Sequence, residues 1–423
     1  MTANNAFYAQ SGGVTAVINA TACGLIQEAR RLHLLHPQRI GKVYAGHDGI
    51  LGALTEDLID TSRESDADIA RLRYSPGGAF GSSRFHLGPL STHRAHFERL
   101  VEVFRAHEIG YFFFNGGDGS MGAAWHLSQT LAELGHPLTV IGIPKTVDND
   151  LALTDTCPGF GSVAKYVATS MREAGFDVAS MARTSTRVFI LEAMGRHAGW
   201  IAAAAGLASE NEGDPPHILL FPEVRFDAER FLARVDECVQ RHGYCAIAVA
   251  EGLCDDGGCE IGGRSFDDLP SHTRAGGVGR FIGELIHARF GHKYHLALAD
   301  YLQRAARHLA SGTDVEQAHA LGVAAVDRAV RGSNNIMLTL QRLSDRPYRW
   351  EIGEVPLSAV ANKEHRMPAE FISVDGFHIT EACRTYLQPL IEGEDPPPFR
   401  RGLPDYVRLA NHRVSRVLPD FVP

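Results

Sequence analysis

The sequence has no uninterrupted apolar run near the roughly 20 residues that a membrane-spanning helix needs. Its opening residues, Met-Thr-Ala-Asn-Asn, lack the basic-then-apolar order of a secretory signal. A cytoplasmic location is expected. No long run of one charge sign occurs. With 41 basic and 50 acidic residues the formal net charge is -9, which speaks against nucleic acid or an anionic membrane as partner, so any anion site must be local. Cysteine is sparse. Cys23, Cys157, Cys238, Cys245, Cys254, Cys259 and Cys383 are seven in number, odd and scattered, so a disulfide scaffold is not expected and free thiols are. Cys254 and Cys259 stand five apart in an acidic, Gly-rich loop with no second ligand pair, which argues against zinc. None of the 21 histidines is read as part of a metal-binding pair with a carboxylate at helical spacing, and most are expected at the surface. No Gly-x4-Gly-Lys-Ser/Thr loop exists, which excludes the P-loop kinases. Gly159 to Ala164 mimics a dinucleotide fingerprint, but it follows a Pro-containing loop rather than a strand.

What is present is ordinary globular material: 423 residues, 44% hydrophobic and 22% charged, enough for a large core and two or three domains. Short apolar runs predict strands at Ala6–Gln10, Tyr111–Asn115, Thr139–Ile143, Arg187–Glu192, His217–Phe221 and Cys245–Ala250. Amphipathic stretches such as Arg94–Glu108 and Phe226–His242 predict helices between them. The alternation implies an α/β fold of largely parallel sheets flanked by helices. Tyr301 to Val330 reads as helix, and Leu302–Arg346 contains insertion-like helix. Glu394 to Arg401, with three consecutive prolines, reads as a loop before a terminal tail.

In such sheets ligands bind at the carboxyl ends of the strands. Five polar or Gly-rich loops fall there: Ser11-Gly12-Gly13, Gly116 to Ser120, Pro144 to Asp150, Met194-Gly195-Arg196, and Glu251-Gly252. Backbone N–H groups at Gly12 and Gly13 can face a phosphate beside a helix start. Gly116, Gly117 and Gly119 let a polyphosphate approach the backbone at Ser120, and Asp118 is placed to bind its magnesium. Asp148 and Asp150 stand two apart, and a hydroxyl attacking phosphorus needs a carboxylate to take its proton. Lys145 and Thr146 can stabilise charge growing on the transferred group. Arg84, Arg187, Arg196 and Arg304 sit at loop or element ends, where guanidinium groups can meet phosphate.

These segments, together with Gly77-Gly78 through Arg84 and Tyr301-Leu302-Gln303-Arg304, occur in an order that resembles the 6-phosphofructokinases over nearly the whole chain. The resemblance implies two similar α/β domains, with the active site in the cleft between them. It divides the chain into a phosphoryl-donor domain (1–163 and about 300–370) and a fructose 6-phosphate domain (164–299 and about 371–423). It implies phosphorylation of fructose 6-phosphate at its 1-hydroxyl, with Mg2+, by a homodimer or homotetramer. Carried over by motif, Asp148 is the base and Asp118 the metal ligand. Gly12, Arg84, Thr146 and Arg187 surround the phosphates, with Arg187 contributed by a neighbouring subunit. Gly117, Gly119, Ser120 and Lys145 line the donor. Thr146, Asp148, Asp150, Met194, Gly195, Arg196, Glu251, Tyr301 and Arg304 hold the sugar phosphate.

The resemblance, which through Tyr8 to Asn19 and Thr154–Lys165 is overall nearest to a bacterial pyrophosphate-dependent group, leaves two donors, ATP and inorganic pyrophosphate. An acid at position 119 repels the α-phosphate of ATP, and glycine stands there. A lysine at position 145 goes with pyrophosphate, and Lys145 stands there. A desolvated like-charge clash is the larger effect, and Lys145 is long enough to turn away. The reading therefore favours ATP, with reversible transfer from pyrophosphate as the alternative. NAD and lipid kinases share a Gly-Gly-Asp-Gly loop but are not expected to combine it with the other segments. A non-catalytic regulatory subunit is not expected to keep Asp118, Asp148 and Arg84.

Overall fold

Alternation of side chains along the buried strands explains how one apolar run serves two cores. In the computed structural model, Phe7, Phe112 and Phe114 join one apolar cluster, while Ala6, Tyr8 and Phe113 join another. Successive residues of a strand point to opposite faces, so a Tyr-Phe-Phe-Phe run fills both sides of a sheet. The structure describes residues 4–85, 87–88, 90–262, 277–360 and 363–423.

The main strands are, in chain order, β1 (Asn5–Gln10), β2 (Val43–Gly46), β3 (Leu58–Asp60), β4 (Ile109–Gly116), β5 (Thr139–Pro144), β6 (Val188–Ala193), β7 (Ile218–Leu220), β8 (Cys245–Ala250), β9 (Tyr294–Leu298), β10 (Ile336–Asp345) and β11 (Tyr348–Pro356). They belong to two compact units. The first comprises Met1–Gly159, Arg307–Glu364 and Gly393–Pro423; the second comprises Phe160–Ala306 and His365–Glu392.

The first unit carries a sheet of order β11-β10-β5-β4-β1-β2-β3. The five inner strands are parallel, and β3 and β11 run antiparallel at the edges. The chain order reverses between β1 and β4, so the loops after these strands lie side by side, where α/β sheets commonly bind ligands. Helices Ile18–Leu35 and Gly312–Val330 pack against one another through glycines. A Cβ on Gly24 would stand 2.2 Å from the His319 carbonyl, and one on Gly322 would stand 2.1 Å from that of Thr21. The second unit carries a parallel sheet of order β7-β8-β6-β9. Its helix Ala228–His242 starts at Asp227, whose carboxylate accepts the Arg230 N–H, and stops at Gly243 in the left-handed region.

Several expectations need correction. The stretch from Tyr301 to Val330 is not one helix. Helices Asp300–Ala305 and Gly312–Val330 are separated by a turn at Arg307–Leu309, and the boundary between the units falls in it. Ser311 starts the second helix anew, its hydroxyl accepting the Asp314 N–H. Leu302–Arg346 is not merely inserted helix, because β10 pairs with β5 and with β11. The terminal tail belongs with the first unit. Gly393–Pro423 falls there, not with 371–392, because Asp60 N–H donates to the His412 carbonyl and Val414 N–H to that of Leu58, extending the β3 edge. The salt bridge from Arg307 to Asp395 (2.6 Å) anchors the start of that tail. Among the described residues no helix is long and apolar enough to cross a membrane. All seven cysteines are free thiols.

Candidate active site

In the first unit, β1, β4 and β5 end in three neighbouring loops. After β1, Gly12 takes φ +79°, a left-handed conformation that a side chain resists. Its N–H donates to the Ser83 carbonyl (2.9 Å), and its own carbonyl accepts from the Ser82 hydroxyl (2.8 Å). The first loop is thereby joined to the segment carrying Arg84, whose side chain is exposed. After β4, Gly117 leads into helix Asp118–Glu133 with no side-chain cap, so no capping side chain covers a helix start of the kind that favours an anion. The Ser120 hydroxyl donates to that of Ser11 (2.9 Å). A Cβ on Gly119 would meet nothing within 4 Å, so this position faces open space.

After β5, Lys145 is 4% exposed, and its Nζ donates to the Gly13 carbonyl at 2.7 Å. The ammonium lies 3.4 Å from where a Cβ on Gly12 would stand. It does not turn away, as the sequence reading allows; it points into the β1 loop. Thr146 Oγ1 accepts the Asp148 N–H (3.1 Å). Asn149, between the two acids, is fully buried with φ +55°, and its Oδ1 accepts the Cys157 N–H (3.0 Å). The Asp-Asn-Asp stretch is thus a turn pinned at its centre. Burial pushes the Asp150 carboxyl up, partly offset by the Thr146 hydroxyl and by Lys145.

The loops of the second unit follow β6 and β8, which are paired neighbours. Gly195 has φ +125°, and a Cβ there would stand 2.7 Å from the Ala198 carbonyl. A Cβ on Gly252 would stand 1.8 Å from the Arg196 carbonyl. Both glycines are required by the close approach of the Met194–Arg196 and Glu251–Gly252 loops. Gly252 N–H donates to the Gly195 carbonyl (3.2 Å), and Met194 N–H to the Gln303 side chain (3.4 Å). Burial raises the Glu251 carboxyl, offset by the Gly195 N–H and the Arg196 guanidinium. Arg304 lies over the Tyr301 ring at 3.6 Å, a cation–π pair on an exposed surface. Met194, Gly195, Arg196, Glu251, Tyr301 and Arg304 therefore belong to one end of the β6–β8 sheet or to the helix following β9. Arg187 does not join them. It precedes β6, roughly 20 Å away at the opposite end of a six-residue strand, and is exposed.

Two carboxylates that shape the second unit's loops escape the sequence reading. Glu192, 4% exposed at the end of β6, accepts the Gly279 N–H (2.7 Å) and the Gly277 N–H (3.2 Å). Glu223 accepts the Gly199 N–H on both oxygens (3.0 and 3.2 Å). An acid inside an otherwise apolar strand, Val-Phe-Ile-Leu-Glu-Ala, is the signal that could have found Glu192.

Comparison with known proteins bears on the family and the fold. The phosphofructokinase family profile matches residues 5–329. A pyrophosphate--fructose 6-phosphate 1-phosphotransferase of Methylococcus capsulatus is 60% identical over 418 residues, covering 99% of each chain. One from Halomonas elongata is 58% identical over 421 residues, covering 100% of each. The crystal structure of a pyrophosphate-dependent phosphofructokinase from Marinobacter aquaeolei superposes with a TM-score of 0.90 at 55% identity, covering 99% of this chain and 100% of that one. The chain belongs to the phosphofructokinase family.

Proposed function

We propose that this protein transfers a phosphoryl group from inorganic pyrophosphate to the 1-hydroxyl of fructose 6-phosphate. The single observation that carries the choice of donor is Lys145, a buried ammonium directed into the Ser11–Gly13 loop. A small donor of high charge density suits a desolvated cation anchored on a carbonyl of the β1 loop. The preference for ATP drawn from Gly119 is reversed. That position faces open space, so the missing side chain imposes no choice, whereas Lys145 is committed to the site. The relatives at 58% and 60% identity bear names that specify pyrophosphate, which weighs the same way.

Asp148 takes the proton from the 1-hydroxyl as that oxygen attacks phosphorus, and Thr146 and Asn149 hold its loop. Lys145, Gly12, Gly117, Gly119, Ser120 and Arg84 receive the donor, and charge growing on the departing phosphate is met by Lys145 and Arg84. Asp118 offers one hard carboxylate oxygen to a divalent metal at the start of its helix. Among the described residues no group of three or more His, Cys, Asp or Glu side chains could cage a metal. One carboxylate completed by phosphate oxygens and water is how Mg2+ is usually held, so the residue fits magnesium. The ion, when bound, neutralises phosphate charge. Asp150, Met194, Gly195, Arg196, Glu251, Tyr301 and Arg304 hold fructose 6-phosphate. Arg187, exposed and remote from the other loops of its own unit, serves a neighbouring subunit in a homodimer or homotetramer.

Transfer from pyrophosphate is close to reversible, which gives a direct test. Fructose 1,6-bisphosphate and orthophosphate, with magnesium, are expected to yield fructose 6-phosphate and pyrophosphate. Absence of that reverse reaction, alongside a forward rate with ATP, would overturn the donor assignment.

A further inference from the structure

At the ends of β1 and β4 and the start of helix Ile18–Leu35 lie four polar side chains, each at most 1% exposed: Tyr8, Gln10, Asn19 and Asn115. The Tyr8 hydroxyl accepts from Asn115 Nδ2 (2.9 Å) and from Gln10 Nε2 (3.3 Å). Gln10 Nε2 also donates to Asn19 Oδ1 (3.3 Å). Asn19 reaches further. Its Oδ1 accepts the Ala79 N–H (3.0 Å), and its Nδ2 donates to the Ser75 carbonyl (2.9 Å). The Tyr8 ring stands edge-on to Phe80, with centroids 6.1 Å apart. Each of these groups adjoins a donor loop. Gln10 precedes Ser11, Asn115 precedes Gly116, and Ser75, Ala79 and Phe80 lead to Arg84. Burial raises the Tyr8 phenol to about 12, so its hydroxyl stays neutral across the working range.

An apolar core could fill this space with less risk, because buried polar groups stabilise only when their directional bonds are made. Here, apart from the Gln10–Tyr8 bond within β1, those bonds tie β1 to β4, to the following helix and to the segment leading to Arg84. Sub-ångström placement matters for a guanidinium that must meet phosphate oxygens. Resting on the functional reading above, we propose that Tyr8, Gln10, Asn19 and Asn115 form a frame of positioning residues that sets the spacing of the loops after β1 and β4 and, through Ser75–Phe80, the place of Arg84. The frame acts on the donor side of the reaction, because its bonds run to the ends of β1 and β4 and to Ser75 and Ala79, which lead into the segments assigned to the donor.

The test compares the parent, Tyr8→Phe, Arg84→Ala and the double variant, with pyrophosphate and ATP each supplied as donor. The donor that the parent uses is the one read. Tyr8→Phe keeps the ring against Phe80 and removes only the hydroxyl. It is expected to lower kcat/KM for the donor about tenfold while KM for fructose 6-phosphate moves less than twofold. In the Arg84→Ala background the same change is expected to have almost no effect, since coupled residues are non-additive. Gln10→Met, similar in shape and without donor or acceptor, is expected to repeat the pattern. Unchanged kinetics, an equal loss toward both substrates, or full additivity with Arg84→Ala would overturn the inference. So would failure of both frame variants to fold, which would make the frame a folding element. A parent active with ATP alone overturns the choice of donor but leaves the frame to stand or fall on these variants. A parent inactive with either donor overturns both.

Discussion

In the first unit the loops at the strand ends are shaped by glycine and by one buried cation, whereas in the second they are held by carboxylates bonded to backbone N–H groups. Lys145 donates to a carbonyl of the β1 loop; Glu192 and Glu223 accept backbone N–H groups. The difference follows the chemistry proposed for each half. A polyanionic donor needs positive charge and backbone N–H groups that are not already bonded to a carboxylate. A sugar phosphate needs its own recognition groups, among them Arg196 and Arg304, presented on a backbone that does not move. Glutamates bonded to backbone N–H groups can hold such a backbone without meeting the ligand.

Breaking the chemistry of one half alone is expected to give the largest effect. Asp148→Ser should lower kcat at least about a thousandfold, within the range that a general base supplies. Fructose 6-phosphate binding, followed by calorimetry, should change less than about threefold if the two halves contribute as separately as proposed. A near-normal rate would remove Asp148 as the base.

The independence of the two units can be sharpened by loosening only one. Arg307 is 0% exposed and pairs with Asp395 at the start of the tail. Asp395→Ala leaves a buried charge without its partner, a change that costs about 3–5 kcal/mol. Hydrogen exchange should accelerate in the first unit, including β3 and residues 393–423, and stay near the parent rate in β6 and β8. Equal acceleration in both sheets would show that the units unfold as one.

The smallest effect concerns the carboxylates of the second unit. Burial raises Glu192 above the ordinary 4.5, despite the Gly277 and Gly279 N–H groups, with Asp300 adding to the rise. A raised carboxyl favours the folded state fully below its unfolded value, and that contribution is lost as pH rises through the folded one. Between pH 4 and 7 the parent should therefore lose stability that Glu192→Gln keeps, a difference of about 1–3 °C in unfolding midpoint. Parallel pH profiles for the two proteins would contradict this.

Much of this comparison was legible in the chain itself. Strands buried on both faces, such as Cys245–Ala250, read as continuous apolar runs, and the loops after them stood out by glycine and acid content. The edges did not. Strands β10 and β11 are half exposed and antiparallel, so their mixed composition carries no such run. The short β2 and β3 were hidden for want of length. The break near Arg307 follows from a tertiary salt bridge to a residue 88 positions away, and no local pattern announces that. Within the site, residue types were readable but directions were not. Lys145 is a flexible side chain in sequence and a buried, bonded one in the structure, and the choice of donor turned on that difference. The amide and phenol groups under β1 were passed over because Gln, Asn and Tyr in an apolar strand carry no motif.

The most direct test of the central claim is the initial rate with fructose 6-phosphate and magnesium, measured side by side with pyrophosphate and with ATP. The account predicts turnover with pyrophosphate at least about a hundredfold above that with ATP, and loss of that preference in Lys145→Met. A parent that turns over with ATP and leaves pyrophosphate unused would contradict it, and would return the choice of donor to Gly119.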